Sequence, residues 1–227
     1  MPVTSSTGIS CLRLPLRFII ISDLDSATPE IERKMEAIAI PTEFRVTSEQ
    51  FDQLASIEQL ARLELTKTGE LIIMSPTGGE AGAKNFNLYI DLGIWNRRTR
   101  LGKAFDSSTV FILPNGARKS PDVSWVRLEL WDSLTPQEKR GFPPLVPDFV
   151  IELVSPSDLK NQRYEDLQAK MQEYLNNGVK LGWLIEPSGK TVEIYRSQQQ
   201  VEILNNPQTL SGEDVLPGFT LDLSEIF

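Results

Sequence analysis

One carboxylate in this chain lies among apolar residues. The run Phe149-Val150-Ile151-Glu152-Leu153-Val154 has the pattern of a β-strand, and because strand side chains alternate, Glu152 shares a face with Val150 and Val154. A strand that is apolar on both faces is typical of the centre of a covered sheet. An ionised Glu152 there needs a cation. A lysine would give a structural ion pair and a metal ion a catalytic site, and the strand alone fits both.

Three other residues could join Glu152 in one site. Asp122 follows Pro121 near the start of a predicted strand, where a carboxylate is also an ordinary turn residue. Glu80 lies in the first turn of a predicted helix, where the helix dipole alone favours an anion. Lys170 flanks the apolar stripe of the helix that follows Glu152, and its long side chain can reach over the sheet.

The spacing of apolar residues predicts the elements that position these side chains. A capping box at Thr47 and Gln50 begins a short helix, and residues 63–74 predict a hairpin in which Arg62 and Glu64 alternate with leucines. The helix from Glu80 is expected to bury one apolar face, made of Ala83, Phe86, Ile90, Gly93 and Ile94. Further segments follow: strands at 103–106 and 109–113 with a bulge at 107–108, a strand at 120–126, a short helix after Thr135, the strand around Glu152, a helix at 164–177, and strands at 181–185, 191–195 and 201–204.

Composition narrows the chemistry. The chain has 227 residues, 40% of them hydrophobic, which suits one domain, predicted at 41–227 after a loosely ordered tail at 1–40. It contains no His, which excludes Ser-His-Asp systems and His-ligated metals. A metal site built on carboxylates would take Mg²⁺, Mn²⁺ or Ca²⁺. The single Cys11 allows no internal disulfide and favours a cytoplasmic protein.

The charge balance is acidic, with 31 Asp and Glu against 23 Lys and Arg and a net charge of −8. This counts against nonspecific binding of nucleic acid. The balance does not exclude a local basic surface that binds nucleic acid. The alternative for each basic residue is an ordinary solvent-exposed position that binds nothing. The candidates are Arg97, Arg98, Arg100, Arg118 and Lys119.

From Glu80 onward the predicted order is helix, strand, strand, strand, helix, strand, with Asp122 on the second strand and Glu152 on the third. This α/β order with a mixed sheet resembles the core of the PD-(D/E)XK restriction-endonuclease-like superfamily. Four segments are similar to its Uma-two branch, which is abundant in cyanobacteria, and the resemblance covers about residues 42–227. These segments are 69–78, Ser120-Pro121-Asp122-Val123, Ile151-Glu152-Leu153-Val154-Ser155-Pro156-Ser157-Asp158, and 170–179.

The resemblance implies a phosphodiesterase that uses Mg²⁺ or Mn²⁺ on nucleic acid, expected to be DNA, and that forms a homodimer. Asp122, Glu152 and the backbone carbonyl of Leu153 would hold the metal, with Glu80 completing the site. The superfamily's lysine belongs two residues after the glutamate, where this chain has Val154, so Lys170 is expected to replace it. Many branch members carry His after the Gly-Gly-Glu of the first helix, where this chain has Ala81.

Two alternatives remain open on sequence. The chain could be a catalytically inactive DNA-binding or dimerising module that keeps the nuclease fold, because fold does not fix function. A glycosidase could also use two carboxylates, but it needs a defined carboxyl separation across a sugar cleft, which the sequence does not show.

Overall fold

The computed structural model describes residues 45–57, 62–74, 76–156, 158–159 and 163–227. All of these residues belong to one compact unit. The predicted tail at 1–40 lies outside them. Within these ranges, every helix is too short or too polar to cross a membrane.

Short elements follow one another closely along the described chain. Their bounds are α1 (Ser48–Ile57), β1 (Arg62–Leu65), β2 (Leu71–Met74), α2 (Gly79–Thr99), β3 (Gly102–Asp106), β4 (Phe111–Ile112), β5 (Arg118–Lys119), β6 (Val123–Arg127), α3 (Leu128–Asp132), α4 (Pro136–Arg140), β7 (Phe149–Leu153), α5 (Arg163–Asn177), β8 (Leu181–Glu186), β9 (Thr191–Arg196), β10 (Glu202–Asn205), β11 (Thr209–Ser211) and β12 (Thr220–Asp222).

The larger sheet has six strands in the order β10-β9-β8-β7-β6-β3. Only β7 and β8 in it are parallel, with Phe149 opposite Leu181, and α5 makes the crossover that a parallel pair requires. The order α2, β3, β6, β7, α5, β8 confirms the predicted mixed α/β fold with an αβββαβ core.

Strand β7 divides its side chains between two cores. Phe149, Ile151 and Leu153 pack on the side of α2 and the β11–β12 hairpin. Val150 and Val154 pack on the other side, with Met171 and Tyr174 of α5 among others. Because side chains alternate along a strand, Glu152 points to the α5 side, and the predicted central position of this strand is confirmed.

A second sheet has four antiparallel strands in the order β2-β1-β5-β4. The predicted hairpin forms its β1–β2 half, and α1 packs on it through Phe51, which is fully buried. Leu65 of β1 pairs with Arg118 of β5, so the hairpin is joined to the segment that leads into β6.

The strands predicted at 103–106, 109–113 and 120–126 are wrong in detail. The first two, β3 and β4, belong to different sheets, and the third, β6, begins only at Val123. After β3 the chain turns instead of bulging, and Asp106 Oδ1 accepts hydrogen bonds from the N–H and the hydroxyl of Ser108 at 3.0 and 2.6 Å. Residues 120–122 link β5 to β6, and Pro121 has no N–H to donate to a ladder. Asp122 therefore lies immediately before β6, not on it.

The predicted buried face of α2 is also wrong. The helix buries Asn85, Leu88, Leu92 and Trp95 and leaves Phe86, Ile90 and Ile94 exposed. Both sets have helical spacing, so periodicity could not choose between them. The three buried apolar residues join the core that holds Trp125 and Phe219.

Candidate active site

Glu152 is 3% exposed, and two side chains of α5 contact the same oxygen of it. Oε1 lies 2.8 Å from Lys170 Nζ and accepts a hydrogen bond of 3.0 Å from the hydroxyl of Tyr174. Lys170 and Tyr174 are one turn apart on α5, so one helix face delivers both groups. Gly182 of β8 allows α5 to lie close, because a Cβ there would be 2.5 Å from the end of Met171.

Asp122 is tied to the end of β7. Its Oδ2 accepts a hydrogen bond of 3.0 Å from the N–H of Leu153, the residue after Glu152. Its Oδ1 lies 3.2 Å from Arg62 Nη1. The structure thus places Asp122, Glu152 and the backbone of Leu153 together at the point where β6 and β7 meet.

Glu64 of β1 is a member of this cluster that the sequence did not indicate. It is 2% exposed, and its Oε1 lies 2.9 Å from Lys170 Nζ and accepts a 2.9 Å hydrogen bond from the N–H of Ser120. Arg62, two residues earlier, donates to the carbonyl of Ser120 at 3.2 Å as well as to Asp122. The strand β1 therefore contacts both Lys170 and the segment that carries Asp122.

Two residues of the predicted basic surface are not on the surface. Arg118 is 5% exposed and pairs with Asp52 at 3.0 Å. Lys119 is 4% exposed and lies 3.6 Å from Glu64 Oε2 and 3.2 Å from Glu173 Oε2. Both cations are therefore buried and paired with carboxylates instead of forming the exposed basic surface that the sequence predicts. Their contact with nucleic acid stays a prediction. Lys119 belongs to the cluster around Glu64.

The other three basic residues, Arg97, Arg98 and Arg100, are exposed but far from the cluster. They precede Gly102, which pairs with Arg127 at one end of the β3–β6 ladder, whereas Asp122 lies beyond the other end. The two ends are four residue steps apart along β3, a distance of about 13 Å. Their contact with nucleic acid stays a prediction.

Glu80 is not joined to Asp122 or Glu152 in the described structure. Its side chain is 79% exposed in the first turn of α2 and lies 3.0 Å from Lys84. This i,i+4 pair and the helix dipole account for its position. Its role in the site stays a prediction.

Burial is the main influence on the pKa of Glu152. Burial, together with the nearby carboxylates of Asp122 and Glu64, raises this pKa to about 7, although Lys170 acts to lower it. Burial also disfavours the charged forms of Glu64 and Lys170. Charge pairing outweighs it, so the pKa of Glu64 is lowered by Lys170 and Lys119, and the pKa of Lys170 is raised by Glu152 and Glu64.

The donor set suits a hard divalent ion. Asp122, Glu152 and peptide carbonyls offer oxygen ligands only, as Mg²⁺ and Mn²⁺ prefer. The described residues include no group of three or more acidic, His or Cys side chains arranged to hold a metal, so water or backbone would have to supply further ligands. An added cation beside Glu152 would also favour the ionised form of this buried carboxylate.

The core αβββαβ order, with Asp122 and Glu152 where β6 and β7 meet, defines a restriction-endonuclease-like protein. The family model described as "Uma2: Putative restriction endonuclease" matches residues 48–224, and the chain belongs to this family. Its fold is also similar to the crystal structure of a putative nuclease belonging to DUF820 from Anabaena variabilis ATCC 29413. The two are 23% identical with a TM-score of 0.60, over 73% of this chain and 89% of that one. A search of curated proteins found no match.

Proposed function

We propose that this protein is a divalent-metal-dependent endonuclease that hydrolyses phosphodiester bonds in nucleic acid, with DNA as the expected substrate. The observation that carries the proposal is a buried pair of carboxylates, Asp122 and Glu152, joined through Leu153 and contacted by Lys170, in a chain of the Uma2 family. A cytoplasmic homodimer is the form in which we expect it to act.

Each residue of the cluster has a proposed role. Asp122, Glu152 and the carbonyl of Leu153 would hold Mg²⁺ or Mn²⁺, which when bound lowers the pKa of a water and stabilises charge on the scissile phosphate. Lys170 orients the attacking water and offsets phosphate charge. Glu64 holds the ammonium of Lys170 at 2.9 Å.

A second candidate function is a catalytically inactive module that binds DNA or dimerises. The observation that favours it is the pairing of Glu152 with Lys170 at 2.8 Å and of Asp122 with Arg62 at 3.2 Å. Both proposed carboxylate ligands already have a cationic partner, as in a structural ion-pair network. Such a module would bind divalent ions weakly and would leave DNA intact.

The deciding experiment incubates the purified protein with duplex and single-stranded DNA and RNA in Mg²⁺, Mn²⁺ or EDTA. We expect cleavage with a divalent ion alone, and we expect Glu152→Gln to abolish it while the protein stays folded. Cleavage that persists in EDTA, or in the Glu152→Gln variant, would contradict the metal assignment.

Glu193→Gln is a matched control for this experiment. Glu193 is 4% exposed, close to the 3% of Glu152, but its hydrogen bonds come from Tyr164, Tyr195 and Gln168. If cleavage is lost only because a buried carboxylate has been removed, both variants should lose it. If cleavage is lost because the metal site is removed, only Glu152→Gln should lose it.

A further inference from the structure

Helix α2 carries an apolar stripe that the described part of the chain leaves uncovered. Phe86 is 61% exposed, Ile90 40% and Ile94 43%, and their spacing by four residues aligns them on one side of the helix. Small residues, Ala83 and Gly93, lie beside them, and a Cβ added to Gly93 would meet no atom within 4 Å. A contiguous exposed patch of large apolar side chains is typical of an interaction surface.

We propose that this stripe binds α2 of a second copy of the chain, antiparallel to it, about a twofold axis at Ile90. The spacing is symmetric about this residue, since Phe86 lies four positions before it and Ile94 four positions after it. Ile90 would therefore face its own copy, and Phe86 would face Ile94 of the partner subunit. The open space at Gly93 of the partner subunit would accept the Phe86 ring.

Charge complementarity selects a second copy in the antiparallel direction. Glu80, whose side chain pairs with Lys84 but is still 79% exposed, lies at the start of α2, and Arg97, Arg98 and Arg100 are exposed at its end. Antiparallel packing about Ile90 places Glu80 opposite Arg100 of the partner subunit, at both ends of the interface. Parallel packing would bring six arginines together. The opposed helix dipoles add to this preference.

The arrangement does not depend on nuclease activity. Its experiment is sedimentation velocity on the full chain over a wide range of concentration. We expect the wild type to be a dimer, and Phe86→Glu and Ile90→Glu each to weaken dimerisation by about a hundredfold or more, because central apolar contacts dominate an interface. Circular dichroism at low protein concentration checks that each variant folds.

Ile203→Glu is the matched control, because Ile203 is 60% exposed on the edge strand β10, outside α2. It should leave the dimer unchanged. A monomeric wild type at every concentration overturns the proposal. So does a dimer that tolerates Phe86→Glu and Ile90→Glu.

Disulfide trapping tests the antiparallel direction. In a Cys11→Ser background, which removes the only cysteine, Ile90→Cys should form a covalent dimer with itself on oxidation. Phe86→Cys and Ile94→Cys should cross-link in a mixture, each far less when alone. Efficient self-linkage at positions 86 and 94 in place of this pattern would indicate parallel packing and overturn the proposed geometry.

Discussion

At the scale of single residues, Lys170 decides between a catalytic site and a structural ion pair. Its ammonium lies 2.8 Å from Glu152 and 2.9 Å from Glu64, and its side chain is 12% exposed. Both roles require this contact. They differ in what removal of the charge does to turnover and to stability.

We expect Lys170→Met to reduce metal-dependent cleavage by a factor between about a hundred and ten thousand, as for other positioned proton-transfer or cationic groups. Metal affinity should barely change, because Lys170 is not a proposed ligand. If the pair is structural, the variant instead loses about 3 to 5 kcal/mol of stability, because it strands a buried carboxylate. Cleavage assays and melting temperatures of the variant separate the two cases.

The double variant Lys170→Met with Glu152→Gln is the control for this prediction. If the ion pair is structural, neutralising Glu152 should restore part of the stability that Lys170→Met loses. Near-normal stability of Lys170→Met with normal cleavage would contradict both roles.

Sequence reasoning located some residues of the cluster and missed others for a physical reason. Glu152 was detectable because a carboxylate interrupts an apolar strand, and Lys170 because helical spacing puts it on the flank of a buried stripe. Glu64 gave no such signal. It alternates with Leu63 and Leu65, as a solvent-facing residue of a hairpin does, and only packing against α5 and residue 120 buries it.

At the scale of elements, the β1–β2 hairpin lies outside the αβββαβ core but contributes to its site. Arg62 and Glu64 share one face of β1, and together they contact Lys170, Asp122 and Ser120. The hairpin therefore joins α5 to the start of β6. Local sequence predicted the hairpin itself but not its docking, which depends on residues more than fifty positions away.

We expect Glu64→Gln to lower the turnover number by about tenfold to a hundredfold, because the amide still accepts from Ser120 but no longer neutralises Lys170. Divalent-ion affinity, measured by calorimetry, should stay close to the wild-type value. Glu173→Gln is the matched control, since it removes the other carboxylate that Lys119 contacts and leaves Lys170 untouched. Equal losses in the two variants would contradict a specific role for Glu64.

At the scale of the whole molecule, the order of elements was predictable and the division into two sheets was not. Apolar periodicity identified the helices and the central strand, because burial imposes a period on each element. The chain leaves one sheet at Asp106 and returns to it at Val123. This passage of the chain through the second sheet is determined by the packing of distant segments. The turn residues at 107–108 and 120–122 do not reveal it, because they fit a bulge or a strand start equally well.

The contribution of Glu152 to the stability of the metal-free protein should fall as the pH rises from about 4.5 to about 7. The pKa of Glu152 is about 7 in the folded protein, from an ordinary value of 4.5, because burial disfavours its charge. Within this window the folded protein keeps a proton on Glu152 that the unfolded chain has released, so the contribution of Glu152 to the free energy of unfolding decreases with pH. The full difference corresponds to about 3 kcal/mol, and Glu152→Gln should remove it.

Urea unfolding in EDTA at pH 5, 6, 7 and 8 measures this effect as the difference between wild type and Glu152→Gln, which cancels the other titrating groups. Mn²⁺ should then raise the melting temperature of the wild type more at pH 8 than at pH 5, because ion binding needs the ionised carboxylate. Parallel pH profiles for the two proteins would contradict the raised pKa. A Mn²⁺ effect that survives in Glu152→Gln would place the ion elsewhere.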